Sequence, residues 1–207
     1  MVGFLFWNLN RKPLQQIVAN LARRYDVDVL LLTECSIEPA ELLMPLNQRA
    51  AFQYNYAPRK RCKKEDVFTR FPTEFIRPLV EFETERLTVR QLSLPGTTDI
   101  LLAAVHFPSK LRWRDWSQSS ECTVLADTIA LAEAQAGHVR TVLVGDLNMN
   151  PFEDGVVGAR GLHGVMCRRI AERKTRVVQG KEYTFFYNPM WGLFGDRTNS
   201  PPGTYYY

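Results

Sequence analysis

The chain has 207 residues, of which 45% are hydrophobic and 23% charged, and its formal net charge is +4. This composition is that of a globular chain with one sizeable core, so we expect a single domain over residues 1–207. It excludes a membrane span, because no apolar run approaches the roughly 18 residues that a span needs. Four widely spaced cysteines without a CxxC pair argue against a disulfide framework or a metal cluster, and they favour a cytoplasmic location.

The N-terminal quarter of the chain is predicted to alternate strands with helices. A strand over residues 3–9 precedes a helix over 13–24, because apolar residues recur there at helical spacing. A nearly all-apolar strand follows at 28–33, as expected for a strand that is covered on both faces. A second helix is predicted over 39–48.

Residues 52–106 are predicted to form a series of strands that are separated by proline, glycine and charged breaks. The expected strands are 52–56, 66–70, 74–82, 86–94 and 100–106. The strongest helix is expected over 117–136, and a strand follows at 140–145. Beyond Pro151 the pattern weakens to a glycine-rich loop, a helix at 165–173 and an aromatic connection. Such interleaving of strands and helices predicts a layered α/β sandwich.

A carboxylate and a carboxamide follow the strand at 140–145. Asp146 and Asn148 stand two residues apart, and in an extended chain this spacing puts both side chains on the same side. Such a pair can orient a water molecule and hold a phosphoryl oxygen. Because ligand sites in α/β sandwiches gather outside strand ends, we expect polar residues at the ends of other strands to join this pair. These are Asn8, Asn10, Glu34 and His106.

Four motifs resemble, in the same order, those of the endonuclease/exonuclease/phosphatase superfamily: WNLN at 7–10, LLLTE at 30–34, VHFPS at 105–109 and GDLNMNPFE at 145–153. The segment FTRFP, starting at Phe68, also resembles the S-R-F-P strand of the family. The resemblance implies an α/β/β/α sandwich of two mostly antiparallel sheets flanked by helices, as in deoxyribonuclease I. It also implies a metal-dependent phosphoester hydrolase, with a nuclease as the leading hypothesis.

Carried over residue by residue, the resemblance implies a metal site that takes Mg²⁺, with Mn²⁺ as the alternative ion. Glu34 would be the main ligand, because a carboxylate oxygen suits a hard cation that keeps most of its waters. Asn8 would help to place the metal or the scissile phosphate. Asn10 stands where many members have Asp, so it can coordinate or donate but adds no negative charge.

The resemblance also implies the catalytic residues. His106 would donate to a non-bridging phosphate oxygen, and Asp146 would orient or deprotonate the attacking water. Asn148 would donate to the charge that develops on the phosphorus oxygens. Family members close the site with a later acid–histidine pair, usually within Ser-Asp-His, but no Asp-His pair occurs in this sequence and only His163 follows the Asp146 motif.

Clustered basic residues favour a phosphate-rich substrate, for which we expect Lys110, Arg112, Arg59 and Lys60 to bind phosphate or nucleic acid. Two alternatives stay open: a phosphatase or phosphodiesterase for small or lipid head-group substrates, and a catalytically idle binding module on the same scaffold. The resemblance further implies that C-terminal strands are missing, which would leave an unpaired sheet edge. We therefore expect a homodimer or a completing polypeptide.

Overall fold

The structure is a computed structural model that describes residues 2–48, 52–110 and 115–193. Its internal contacts divide the chain into two compact units. The first unit comprises the chain up to Pro108 together with Ile129–Leu147, and the second comprises Ser109–Thr128 together with the chain from Asn148 onward. The single domain over 1–207 stays a prediction.

Two four-stranded sheets make up most of the first unit. The strands are β1 Phe4–Asn8, β2 Val29–Thr33, β3 Asn55–Ala57, β4 Glu65–Thr69, β5 Ile76–Pro78, β6 Leu87–Leu92, β7 Ile100–His106 and β8 Thr141–Asp146. The first sheet has the order β1-β2-β4-β3 and the second the order β5-β6-β7-β8. Within these two sheets as the structure describes them, β1–β2 and β7–β8 are parallel and the other four pairs are antiparallel, so the predicted pair of mostly antiparallel sheets is confirmed.

Helices cover the outer faces of both sheets. They are α1 Gln15–Arg24, α2 Pro39–Asn47 and α3 Asp115–Ala136, the last of which contributes residues to both units. Residues of α1 and α2 share one buried cluster with the outer face of the first sheet, including Val18, Ala22, Leu42, Leu30, Leu32 and Phe68. On the second sheet, the Thr141 hydroxyl donates to Glu133 of α3 at 2.5 Å. The layered sandwich with flanking helices is therefore as predicted.

A second cluster of apolar residues fills the gap between the two sheets. Val29, Leu31 and Val67 of the first sheet share it with Leu102 and Ala104 of the second. Because side chains alternate along a strand, the residues two positions further on face the same gap at one end of the sheets. The register places there Asn8, Thr33 and Glu65 on one side and His106 and Asp146 on the other.

The second unit contains short elements, which are α4 Asp154–Val157, β9 Gly164–Val165, α5 Arg168–Ala171, β10 Thr175–Val178, β11 Lys181–Thr184 and β12 Phe186–Tyr187. β10 and β11 form an antiparallel hairpin, and β9 pairs in parallel with β12. The helix predicted over 165–173 is therefore wrong except for α5. The sequence interpretation also missed the hairpin, whose turn residues Gln179 and Gly180 both have positive φ, as a type I′ turn requires.

The strand predicted over 74–82 is also wrong for most of its length. Two 3₁₀ turns, Thr73–Phe75 and Val80–Phe82, flank the three residues of β5. Pro78 is the last residue of β5, and the N–H of Leu79 still donates to the Val89 carbonyl of β6 at 2.8 Å. Within the described parts of the chain, no helix combines the length and the apolar character that a membrane crossing requires.

Candidate active site

Asn8 and Asp146 meet although they stand 138 positions apart in the sequence. The Nδ2 atom of Asn8, at the end of β1, donates to Oδ2 of Asp146, at the end of β8, at 2.9 Å. The Oδ1 atom of Asn8 accepts from the backbone N–H of Asn10 at 2.9 Å. The Asn8 carboxamide thus links the Asp146 carboxylate of the second sheet to the loop that follows β1.

Glu34 and His106 form the second contact of the site. The Nε2 atom of His106 lies 3.5 Å from Oε1 of Glu34. Glu34 follows β2 with a φ of +46°, a left-handed conformation that costs a non-glycine residue about 1–2 kcal/mol. Its carbonyl accepts from the N–H of Arg11 at 2.9 Å, which ties the loops after the parallel strands β1 and β2 together. Backbone strain of this kind is typical of functional sites.

The surroundings of His106 favour a neutral imidazole. Burial lowers the pKa of His106 from its usual value of 6.5, and the positive charges of Arg86 and Lys64 lower it further. The carboxylates of Asp146 and Glu34 oppose this shift without reversing it. A neutral imidazole at pH 7 can donate one hydrogen bond to an anionic oxygen.

Glu65 is a buried acid of the site that the sequence interpretation missed. It is 1% exposed, and neither carboxyl oxygen has a hydrogen-bond partner among the residues that the structure describes. Burial raises the pKa of Glu65 to about 9, and the charges of Asp66 and Asp146 add to the rise. The Thr33 hydroxyl donates its one proton to the Lys64 carbonyl at 3.0 Å, so it does not stabilise the charged form of Glu65.

A signal for Glu65 was present in the sequence. The predicted strand began one residue too late, at Asp66, whereas β4 begins at Glu65. Glu65 stands two residues before the core residue Val67, so strand alternation points it into the gap between the sheets.

Gly145 allows β8 to deliver Asp146 to this place. A Cβ atom at Gly145 would lie 2.1 Å from the carbonyl oxygen of Val105 and 2.8 Å from its Cγ1 atom. The two strands therefore approach each other too closely for any side chain at this position. The carbonyl of Asp146 then accepts from the N–H of Phe107 at 2.9 Å, which fixes the backbone of both strand ends.

The donor set of the site fits a hard divalent cation. Glu34 supplies a carboxylate oxygen and Asn8 a carboxamide oxygen, which are the groups that Mg²⁺ prefers. Among the described residues, no group of three or more His, Cys, Asp or Glu side chains is arranged to hold an ion. Mg²⁺ is usually bound by one or two carboxylates and keeps several waters, so one carboxylate and one carboxamide are enough to hold it. The oxygen atoms of Glu34 and Asn8 therefore fit the implied metal.

Three predicted residues belong to the second unit or lie outside the described residues. Asn148 has a φ of +51°, and its carbonyl accepts from Nε2 of Gln118 at 3.1 Å. The Nζ atom of Lys110 lies 2.6 Å from both carboxylate oxygens of Glu153. Arg112 lies outside the described residues. The roles expected of these residues stay predictions.

The loop over residues 58–64, which we call the basic loop, joins β3 to β4 next to Glu65. Arg59 is held by Asp66 through two hydrogen bonds, of which the one from Nε measures 2.8 Å. Buried Arg90 donates to the Pro58 carbonyl at 3.0 Å. Lys60 is exposed to solvent, as are the other cations of the loop except half-buried Lys64. The basic loop is thus fixed in place while most of its cations face solvent.

Comparison with known proteins identifies the family. A family model described as "Endonuclease/Exonuclease/phosphatase family" matches residues 5–206. The chain belongs to this family. No curated protein matches the chain.

Two solved structures of low sequence identity share the fold of this chain. The TDP2 structure from C. elegans matches with a TM-score of 0.51 and 18% identity, over 73% of this chain and 49% of that one. A humanized TDP2 of D. rerio matches with a TM-score of 0.50 and 19% identity, over 76% of this chain and 70% of that one. These likenesses show the fold. This family member spans about half the length of the C. elegans TDP2 chain.

Proposed function

We propose that this family member hydrolyses phosphodiester bonds in nucleic acid with the help of a divalent metal ion, Mg²⁺ or, as the alternative, Mn²⁺. One observation carries the proposal: polar residues that end strands of two different sheets converge at one end of the first unit. Asn8 contacts Asp146 at 2.9 Å, and His106 lies 3.5 Å from Glu34.

The metal would be held by Glu34, with Asn8 and Asn10 helping to place it or the scissile phosphate. When bound, the ion supplies positive charge that stabilises the charge building up on the phosphorus oxygens and the leaving oxygen. The strained backbone at Glu34 and the hydrogen bond from the N–H of Arg11 to its carbonyl support this role. Both fix the backbone position from which the Glu34 side chain extends.

Asp146 would accept a proton from the attacking water. The new P–O bond forms as the opposite P–O bond breaks, and the hydrogen bond from Nδ2 of Asn8 to Oδ2 keeps the carboxylate oriented during this step. His106, neutral at pH 7, would donate to a non-bridging oxygen. Asn148 is proposed as a second donor to these oxygens.

Nucleic acid is the proposed substrate because the basic loop carries exposed cations beside the site. Arg59 and Lys60 would contact backbone phosphates, as would Lys110 and Arg112. The anchors Asp66 and Arg90 support this role, since a loop that is already ordered loses little entropy on binding.

A nuclease assay with matched variants tests the proposal. With Mg²⁺ or Mn²⁺, purified protein is expected to cleave single- or double-stranded DNA, RNA or an abasic-site substrate. Glu34→Gln and Asp146→Asn should each lower the rate by about 10²–10⁴-fold. Exposed Glu74, in the turn before β5, provides the control, because Glu74→Gln makes the same change at the end of the second sheet opposite to His106.

The remaining alternatives predict different outcomes in the same experiment. Cleavage of small phosphate esters but of no nucleic acid would show that the protein is a phosphatase or small-substrate phosphodiesterase and not a nuclease. A binding module would cleave nothing, and it would keep or gain affinity for DNA when Glu34→Ala and Asp146→Ala remove negative charge. Equal activity of Glu34→Gln and Glu74→Gln would refute the proposed site.

A further inference from the structure

The second unit contains an apolar groove that the proposed hydrolysis does not use. The groove has a volume of about 250 Å³ and is lined by Gly164, Val165, Met166, Cys167, Ile170 and Trp191. Two of these side chains remain well exposed, Met166 at 63% and Ile170 at 39%. Drug-sized ligands occupy pockets of about 300–1,000 Å³, so this groove suits an anchor of one or two side chains.

Local hydrogen bonds and ring packing hold the walls of the groove. One wall belongs to β9, whose parallel pairing with β12 aligns Val165 with Tyr187. The N–H of Ile170 donates to the carbonyl of Cys167 at 3.0 Å and so starts the turn of α5. The Trp191 ring packs on Phe152 with ring centroids 6.0 Å apart. A shape that is fixed before binding reduces the entropy that a ligand must overcome.

Two arginines of α5 lie beside this groove, in a segment that is rich in basic residues. Residues 165–193 contain six basic side chains against two acidic ones. The guanidinium of Arg168 lies over the Tyr187 ring, 5.6 Å from its centroid, and Arg169 beside it is exposed. An apolar groove with a cationic rim is complementary to a ligand that has an apolar anchor between negative charges.

We propose that this groove docks an acidic peptide segment of a partner protein, which inserts one large apolar side chain between Met166, Ile170 and Trp191. Carboxylates on either side of that anchor face Arg168 and Arg169. The apolar residue supplies most of the affinity by leaving water, whereas the charges set the orientation and the rate of association.

The chemistry of the lining favours a peptide over a nucleic acid. Nucleobases carry polar edges, which would lose their water against Val165, Met166 and Ile170 without gaining hydrogen bonds. Single-stranded nucleic acid is bound mainly by aromatic faces on which bases stack. Here Arg168 covers the Tyr187 ring and Trp191 packs on Phe152.

Fluorescence anisotropy tests the proposal with the full chain and labelled peptides. The probe peptide carries one Phe between two pairs of Asp, and its control replaces that Phe with Ala. We expect the Phe peptide to bind at least about tenfold more tightly, and added salt should weaken its binding. No binding of the Phe peptide up to about 1 mM, or equal binding of both peptides, would overturn the proposal.

Variants of the protein place the interaction in the groove. Ile170→Ser and Arg169→Glu should each weaken binding of the Phe peptide by about tenfold. Val177→Ser is the matched control, because Val177 is apolar and 66% exposed but does not line the groove. Circular dichroism confirms that each variant is folded. An equal loss in Val177→Ser would contradict the proposal.

Two other ligands would give distinct results that also overturn it. A DNA oligonucleotide that displaces the Phe peptide and loses affinity in Ile170→Ser would assign the groove to nucleic acid. A dimer in sedimentation that dissociates in Ile170→Ser would assign it to a second copy of the chain. Nuclease activity of Ile170→Ser should equal that of the wild type, so failure of the peptide proposal leaves the hydrolysis proposal unaffected.

Discussion

Replacing Gly145 by alanine should push apart β7 and β8, the neighbouring strands that end at His106 and Asp146. The new Cβ would lie 2.1 Å from the Val105 carbonyl oxygen, whereas ordinary contacts begin at 3.4 Å, so β8 must move by about 1.3 Å. Overpacking of this kind costs up to about 3 kcal/mol in the free energy of unfolding. Asp146 is the next residue of β8 and would move with it. A misplacement of a catalytic group by about 1 Å can lower the rate by about 10²-fold.

Gly137→Ala is the matched control within the same unit. Gly137 has a φ of +71° but nothing within 4 Å of its Cβ position, so only the left-handed backbone penalises alanine there, by about 1–2 kcal/mol. Urea denaturation gives the free energy of unfolding of both variants, and the nuclease assay gives their rates. If Gly145→Ala lost no more stability than Gly137→Ala and kept the wild-type rate, the close approach of β7 and β8 would not position Asp146.

Three further predictions concern stability and binding. Between pH 4.5 and about 9 the folded state keeps the proton of Glu65, whereas the unfolded state loses it. The free energy of unfolding of the wild type, measured by urea titration, should therefore fall as the pH rises through this window. The fall should exceed that of Glu65→Gln by at least about 1 kcal/mol. Lys60→Glu should weaken DNA binding and reduce the salt slope by about one in anisotropy titrations, whereas Arg24→Glu, at the far end of α1 from the site, should change neither. The buried Tyr54 hydroxyl donates to the Val27 carbonyl, so Tyr54→Phe should cost about 1–3 kcal/mol in thermal or urea unfolding, and no loss would refute the importance of this bond.

The sequence was sufficient to predict the strands that carry the site because their patterns are local and strong. The apolar runs before Thr33 and before His106 each predict a strand that ends within a residue of where the structure ends it. The short elements of the second unit gave no comparable signal. α5 has four residues, and its formation depends on the chain around it rather than on helical periodicity.

The site itself could be predicted in part. Strand-end position and residue chemistry predicted Asn8, Glu34, His106 and Asp146 as site residues, and the structure brings their side chains together in pairs. Which donor pairs with which acceptor depends on sheet register, which sequence spacing does not reveal. The contact between Arg59 and Asp66 could not be predicted either, because it depends on how the basic loop folds back on β4.

Diffraction from crystals soaked in Mn²⁺ tests the central claim most directly, because the anomalous signal of the ion locates it without any assay of activity. We expect one peak about 2.1 Å from a Glu34 carboxylate oxygen, on the side that faces Asp146 and His106. A peak elsewhere with none at Glu34, or Glu34 and Asp146 directed into separate regions, would contradict a shared metal and phosphate site at this end of the two sheets.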